Sequence, residues 1–332
     1  MKILLLSRIP PPVGGVTMHT LRLLSALKAD GIEVVVLEPT IKNVFKILRS
    51  SLKSNIIHVH SFKAFRVAWP YFLALRKLMK KNVLLTLHSL REIPAAGKIV
   101  FGVPNYIICV NDEIKDKVKR FRSTDVITIS PFLRFTEEER HLFSPLDERE
   151  REFFSQGRVI SFNAWRVVIE HERDIYGIDT MLEAFSKLYK EENTKLCVCV
   201  PGLDEYGRGY IYELIDRYDI DYGRILIIDR AVWFVEIIAM SDAFVRANRS
   251  DGDPLSVKEA LMLGKPVIAS DCVRRPKGVL TFKTGDAQDL LSNIKKALHM
   301  EVNPASVSID CSGNYHRLIG LYESKIAKKE VI

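Results

Sequence analysis

The chain has 332 residues, 47% hydrophobic and 27% charged, which fits an ordinary globular protein of two domains with ample core, and no apolar run is long enough to span a membrane. Its five cysteines are an odd number without paired metal-ligand spacing and do not indicate a disulfide framework. The net charge of +8 is uneven: residues 1–145 hold 23 Lys and Arg against 11 Asp and Glu, whereas residues 146–332 hold 26 against 30, so the first half is suited to an anionic partner.

The opening Met1–Ser7 runs into Pro10-Pro11-Pro12; it is too short for a signal peptide and reads as a buried strand over 3–6, so the chain is expected in the cytoplasm. Gly14-Gly15 follows, then a helix over 17–28 with Leu21, Leu23, Leu24 and Leu27 at helical spacing. Strands are expected over 33–37, 56–59, 83–87, 106–110 and 126–129, with helices over 41–52, 68–80 and 113–121. Residues 135–156 are charge-dense, and the domain boundary is placed there, giving domains 1–145 and 146–310 and a tail 311–332. The alternation restarts with strands over 159–162, 196–200, 225–228, 243–246 and 267–269 and helices over 177–190, 209–218, 232–240, 254–263 and 286–298. Cys197 and Cys199 fall in an apolar run and read as buried strand residues. A last helix over 312–329 is expected to pack back across the halves. The fold class is α/β: two doubly wound, Rossmann-like units with parallel sheets, whose ligands bind beyond the carboxyl ends of the strands, by default in a cleft between the units.

Several residues carry candidate chemistry. Gly14-Gly15 is a tight turn or a phosphate loop; the full G-x-G-x-x-G fingerprint is absent. His58 and His60 share a strand face, but no third zinc ligand is evident. His88 ends a strand, where an imidazole meets a ligand or is satisfied by loop carbonyls. Around the helix over 254–263, Asp253 reads as the N-cap, Pro254 as the first helical residue and Gly264 as the stop. A helix start carries unpaired N–H groups and partial positive charge, which suits a phosphate. Asp251 and Glu259 flank it, either as an acidic helix start with a solvated Glu or as holders of hydroxyl groups on either side of a diphosphate. Asp251-Gly252-Asp253 is also a D-x-D, and the cap reading of Asp253 is preferred to a metal. Basic residues of the first half interleave with Phe45, Phe62, Phe65, Trp69 and Phe72, a pattern of peripheral attachment to anionic lipid; no nucleic-acid-reading module is visible.

With these motifs the chain resembles the retaining GT-B glycosyltransferases of glycosyltransferase family 4, found widely in bacterial capsule, lipopolysaccharide and teichoic-acid assembly. The resemblance spans nearly the whole chain; its most specific part is the run from Glu259 through Gly264-Lys265-Pro266 to Ser270. It implies transfer of a sugar from a nucleotide-diphosphate donor, with retention, to a glycan or lipid-linked acceptor, without metal or other cofactor. It assigns Glu259 to the ribose hydroxyls, Asp251 and His88 to the donor sugar, Arg166 to the leaving diphosphate, Gly14 and Gly15 to the donor phosphates, and Gly252, Leu255 and Ser256 to donor binding. The chain departs from the family pattern in Asp251 for Glu, in Pro254, in Tyr176 for Lys and in an insertion over 167–175. Competing readings are a nucleotide-sugar epimerase of similar shape and a non-catalytic partner subunit.

Overall fold

A computed structural model describes residues 1–90, 93, 96–300 and 309–330. The chain forms two units: the first joins Met1–Arg134 to the stretch from Asp310, and the second is Phe135–Ile309. Among the described residues no helix is long and apolar enough to cross a membrane.

In the first unit, β1 (Lys2–Leu6), β2 (Glu33–Leu37), β3 (Ile56–Val59), β4 (Asn82–Leu87), β5 (Tyr106–Cys109) and β6 (Val126–Thr128) form a parallel sheet in the order β2-β1-β3-β4-β5-β6. Side chains alternate between its faces. Leu4, Leu6, Ile57 and Val59 pack on one side with Phe65 and Phe72, and Ile3, Leu5, Ile56 and Leu84 on the other with Leu23 and Leu27. Both faces are covered, which is why these strands are continuous apolar runs rather than alternating ones. The helices are α1 (Gly15–Ala29), α2 (Val44–Lys53), α3 (Phe62–Val67), α4 (Trp69–Lys77), α5 (Gly97–Gly102) and α6 (Asp112–Lys119). A short helix that was not expected, α3, precedes α4, which is the helix expected over 68–80. Ser61 starts the first by accepting from the Ala64 N–H at 3.3 Å, and Pro70 sits in the first turn of the second, where no amide is needed. A 3-10 turn over Ile41–Asn43 precedes α2.

The second unit holds β7 (Arg158–Asn163), β8 (Ile169–Glu170), β9 (Arg173–Asp174), β10 (Thr194–Cys199), β11 (Ile225–Ile228), β12 (Ala243–Arg246), β13 (Val267–Ser270) and β14 (Val279–Phe282). Its parallel sheet runs β11-β10-β7-β12-β13-β14, and β8 and β9 pair antiparallel by themselves within the apparent insertion. Cys197 and Cys199 are buried in β10, as expected. The helices are α7 (Glu148–Ser155), α8 (Ile178–Glu191), α9 (Glu205–Arg217), α10 (Phe234–Met240), α11 (Leu255–Met262) and α12 (Ala287–Leu298). The charge-dense stretch is ordered: Asp147 and Glu150 form a capping box at the start of α7, and Glu150 also pairs with Arg230 at 2.5 Å. At Gly177, φ is +73°, and a Cβ would lie 2.2 Å from the Ala247 carbonyl oxygen, so only glycine lets the start of α8 approach the end of β12. Finally α13 (Cys311–Glu330) belongs to the first unit, where Leu318, Leu321 and Tyr322 join the Ile3–Leu5 face and Arg317 donates to the Thr128 carbonyl at 2.8 Å.

Candidate functional site

In the second unit, the segment between β12 and α11 brings together most of the residues singled out from the sequence. Asp251 is buried between two arginines. Arg246 donates to its two carboxylate oxygens at 3.1 and 3.0 Å, and Arg275 donates at 3.0 Å. Arg246 reaches Asn163 at 3.1 Å as well, and Arg275 holds the Ser270 carbonyl at 2.7 Å, so the cluster spans the ends of β7, β12 and β13. Burial pushes the Asp251 carboxyl up, but the two guanidiniums outweigh it and hold the group below its usual range. Gly252 donates its N–H to the same carboxylate at 3.2 Å.

The sequence reading of Asp253 is corrected. Pro254 has ψ of 124°, so α11 starts at Leu255, and the helix has no side-chain cap. The Asp253 carboxylate turns instead to Lys258, a partly buried pair at 2.5 Å. The first turn of α11 therefore presents the N–H groups of Leu255, Ser256 and Val257 without a capping side chain, and Leu255 and Ser256 are buried. Glu259 lies one turn further on and is buried too. Arg166 stands exposed after β7, and among the described residues it makes no ion pair or hydrogen bond.

Two neighbours of this segment were not singled out from the sequence. Arg249 clamps Asp179 with bonds of 2.8 and 3.0 Å and Thr180 at 3.0 Å, which ties the segment to the start of α8. Asn248 is buried, and its side-chain oxygen has no partner among the described residues. Their signal in the sequence was position alone: both follow directly on β12, at the carboxyl end of a central strand.

In the first unit, Gly14 and Gly15 lead into α1. The Thr17 hydroxyl accepts from the Gly14 N–H at 2.9 Å and donates to the Pro12 carbonyl at 2.8 Å, so this is a tight, well-tied turn. His88 follows β4 and is half-buried. Its Nε2 lies 3.0 Å from Nδ1 of His60, which follows β3. Nε2 of His60 is buried and has no partner among the described residues. His58 is satisfied, with Nδ1 at 2.6 Å from the Tyr322 hydroxyl and Nε2 at 2.7 Å from the Thr86 hydroxyl. His19 joins this group from α1, donating from Nδ1 to the Pro131 carbonyl at 2.6 Å. One nitrogen from each of His19, His60 and His88 falls within 4.8 Å of the others. The sequence did carry a signal for His19: with Leu23 and Leu27 it forms a four-residue repeat on the buried face of α1. Burial lowers the affinity of all four rings for a proton, taking His19 to about 4 and His58 to about 3, with mutual repulsion adding to it at His58, His60 and His88. The rings are neutral at pH 7.

A cavity of about 960 Å³ opens beside this cluster at the carboxyl ends of β1 and β3. Ser7, Thr17, His60 and Ser61 give it a polar side, and Ile41 and Val67 an apolar one. Around it the surface is apolar and basic at once. Ile41 is 92% exposed, Phe45 86% and Val67 76%, among Lys42, Lys46, Arg49, Lys63 and Arg66.

Residues 168–300, within the second unit, match the family described as "Glycosyl transferases group 1". No curated protein sequence matches the chain. Among solved structures, a glycosyltransferase from Rickettsia africae superposes with a TM-score of 0.72 at 16% identity, covering 98% of each chain. HepE of Anabaena, in complex with UDP-glucose, gives 0.68 at 12% identity over 100% of each chain. The apo form of WaaB, a lipopolysaccharide outer core galactosyltransferase, gives 0.65 at 13% identity over 99% of this chain and 100% of that one. The fold is therefore GT-B, as the sequence led us to expect.

Proposed function

We propose that the chain is a glycosyltransferase that moves a sugar from a nucleotide-diphosphate donor to a hydroxyl acceptor with retention at the anomeric carbon. One observation carries the donor side of this reading: α11 begins uncapped, with buried residues in its first turn and Glu259 one turn on, inside the segment that matches group 1 glycosyltransferases. Uncapped N–H groups of Leu255, Ser256 and Val257 suit a diphosphate, and a buried carboxylate at Glu259 suits the ribose hydroxyls. As the nucleoside diphosphate leaves, negative charge grows on its phosphates; these amides and the unpaired guanidinium of Arg166 stabilise it without a metal. The D-x-D favours the same reading, because its carboxylates are already bound to Arg246, Arg275 and Lys258. Nδ1 of His88 has no partner among the described residues and suits the sugar, and beyond the Gly14 N–H, which Thr17 holds, the Gly15 backbone amide at the start of α1 suits the phosphates. The acceptor hydroxyl attacks from the leaving-group face and passes its proton to the departing phosphate.

For the acceptor, the cavity of the first unit and its apolar, basic rim support a lipid-linked or growing glycan, used in the cytoplasm at the anionic face of a membrane. HepE, solved with UDP-glucose, and WaaB, a galactosyltransferase of the lipopolysaccharide core, are folds of this kind. A second reading, a nucleotide-sugar-binding subunit with little turnover, is favoured by one feature: Asp251 is committed to two arginines. A thermal-shift screen against nucleotide sugars, followed by turnover with the donor that binds, separates the two. Glu259→Ala is expected to weaken donor binding by about 10- to 100-fold, the loss of a charged hydrogen-bonding partner. Unchanged donor affinity in that variant would sink the assignment.

A further inference from the structure

The histidine cluster of the first unit has features that burial alone does not explain. His19, on α1, and His60 and His88, after β3 and β4, come from three separate elements, and their ring centroids lie 5.3 to 5.4 Å apart. A carbonyl oxygen only accepts, so the 2.6 Å bond to Pro131 fixes the proton of His19 on Nδ1 and leaves a lone pair on Nε2. That is the outer-shell arrangement of a metal-bound histidine, in which the far nitrogen donates to a backbone carbonyl. His60 is poorly served by the chain itself. Its Nδ1 pairs with the His88 imidazole at 3.0 Å, and its buried Nε2 has no partner among the described residues. His58, held on both nitrogens by Tyr322 and Thr86, packs its ring 4.2 Å from that of His60 and fixes the backing of the cluster.

We infer that His19, His60 and His88 form a binding site for a single divalent transition-metal ion of the kind that prefers imidazole, with Zn²⁺ as the leading candidate. Three nitrogens within 4.8 Å of one another reach the spacing of a tetrahedral ion, whose bonds to nitrogen are about 2.0–2.1 Å, by small side-chain rotations. An ion there takes one lone pair from each ring and replaces the hydrogen bond between His60 and His88. The cavity that His60 lines provides the way in. The inference rests on the first unit's geometry alone, although the donor reading also gives His88 a role, through the nitrogen that does not face His60.

The test uses the full chain without an affinity tag, stripped with a chelator and titrated with Zn²⁺ and, separately, Co²⁺. We expect one equivalent of Zn²⁺ bound with a Kd below about 1 µM, a rise in thermal midpoint with Zn²⁺, and visible ligand-field absorption of a tetrahedral nitrogen-bound Co²⁺. His60→Gln and His19→Gln should each weaken Zn²⁺ by about 100-fold while far-UV circular dichroism shows a folded chain. Replacing His141, His171, His299 and His316 together should leave binding intact. Binding of Zn²⁺ no tighter than about 10 µM to the unaltered chain, or binding that survives His60→Gln and is lost in the fourfold variant, overturns the inference. The Co²⁺ spectrum of the unaltered chain decides the matter even if a histidine variant fails to fold.

Discussion

Asp251 and Gly177 carry opposite kinds of constraint. Asp251 neutralises Arg246 and Arg275, both largely buried, so Asp251→Asn leaves two guanidiniums facing each other without a counter-charge. We expect a loss of about 3 kcal/mol or more in urea denaturation at pH 7. The pH dependence has a definite sign. The folded carboxyl is held below its ordinary value of 3.8, so its contribution is complete above that pH and is lost as pH falls through the folded value. Below about pH 4 the Asn variant should therefore lose stability less steeply than the parent, while the two curves run parallel between pH 5 and 8. Gly177→Ala places a methyl into the Ala247 carbonyl at positive φ, and should cost about 3 kcal/mol or more by the same measurement. Neither partnership was visible in the sequence beforehand. Arg246 and Arg275 stand 5 and 24 residues from Asp251 and meet it only because β12 and β13 are neighbours in the sheet. Asp253 was misread for a related reason: the cap pattern is local, and the competing ammonium of Lys258, one turn into the helix, fell outside it. His19, by contrast, was legible through its spacing to Leu23 and Leu27.

Elements with long apolar runs were readable because a doubly covered parallel sheet makes its strands apolar on both faces; β1, β3, β4, β7, β10 and β13 all came out this way. β14 and α5 did not, being four and six residues long and dependent on neighbours rather than on their own periodicity. Helix α9 offers a contrast with Gly177. Gly209 lies exposed inside it, and a Cβ there meets nothing within 4 Å, so Gly209→Ala should stabilise the chain by about 0.5–1 kcal/mol in thermal or urea unfolding. Ile41, in the 3-10 turn before α2, and Phe45, in α2, are exposed and contribute nothing to the core. Replacing both with Ser should leave the thermal midpoint within about 1 °C, and should reduce binding to vesicles containing anionic lipid several-fold in a sedimentation assay. Vesicle binding that is unaffected would remove the membrane side of the proposal.

At the scale of the whole molecule, the charge divides between residues 1–145 and the remainder, an excess of 12 positive charges against a deficit of four. If the basic part meets anionic lipid, association with vesicles should weaken steeply from 50 to 300 mM salt, as exposed charges are screened over about 10 Å at 0.1 M. Nucleotide-sugar binding, assigned to the second unit, should change far less over that range. The discontinuous make-up of the first unit has a consequence for how the protein is born. Tyr322, Leu318 and Leu321 cover the sheet face that carries Ile3 and Leu5, yet they are translated only after the whole second unit, residues 135–309. At 5–20 residues per second that interval is about 10–35 s. During it the oldest strands of the nascent chain have an apolar face covered only in part, by Leu23 and Leu27 of α1, and His58 lacks the Tyr322 hydroxyl, so the first unit is the one that should need chaperone protection on the ribosome, although it is the first to be made.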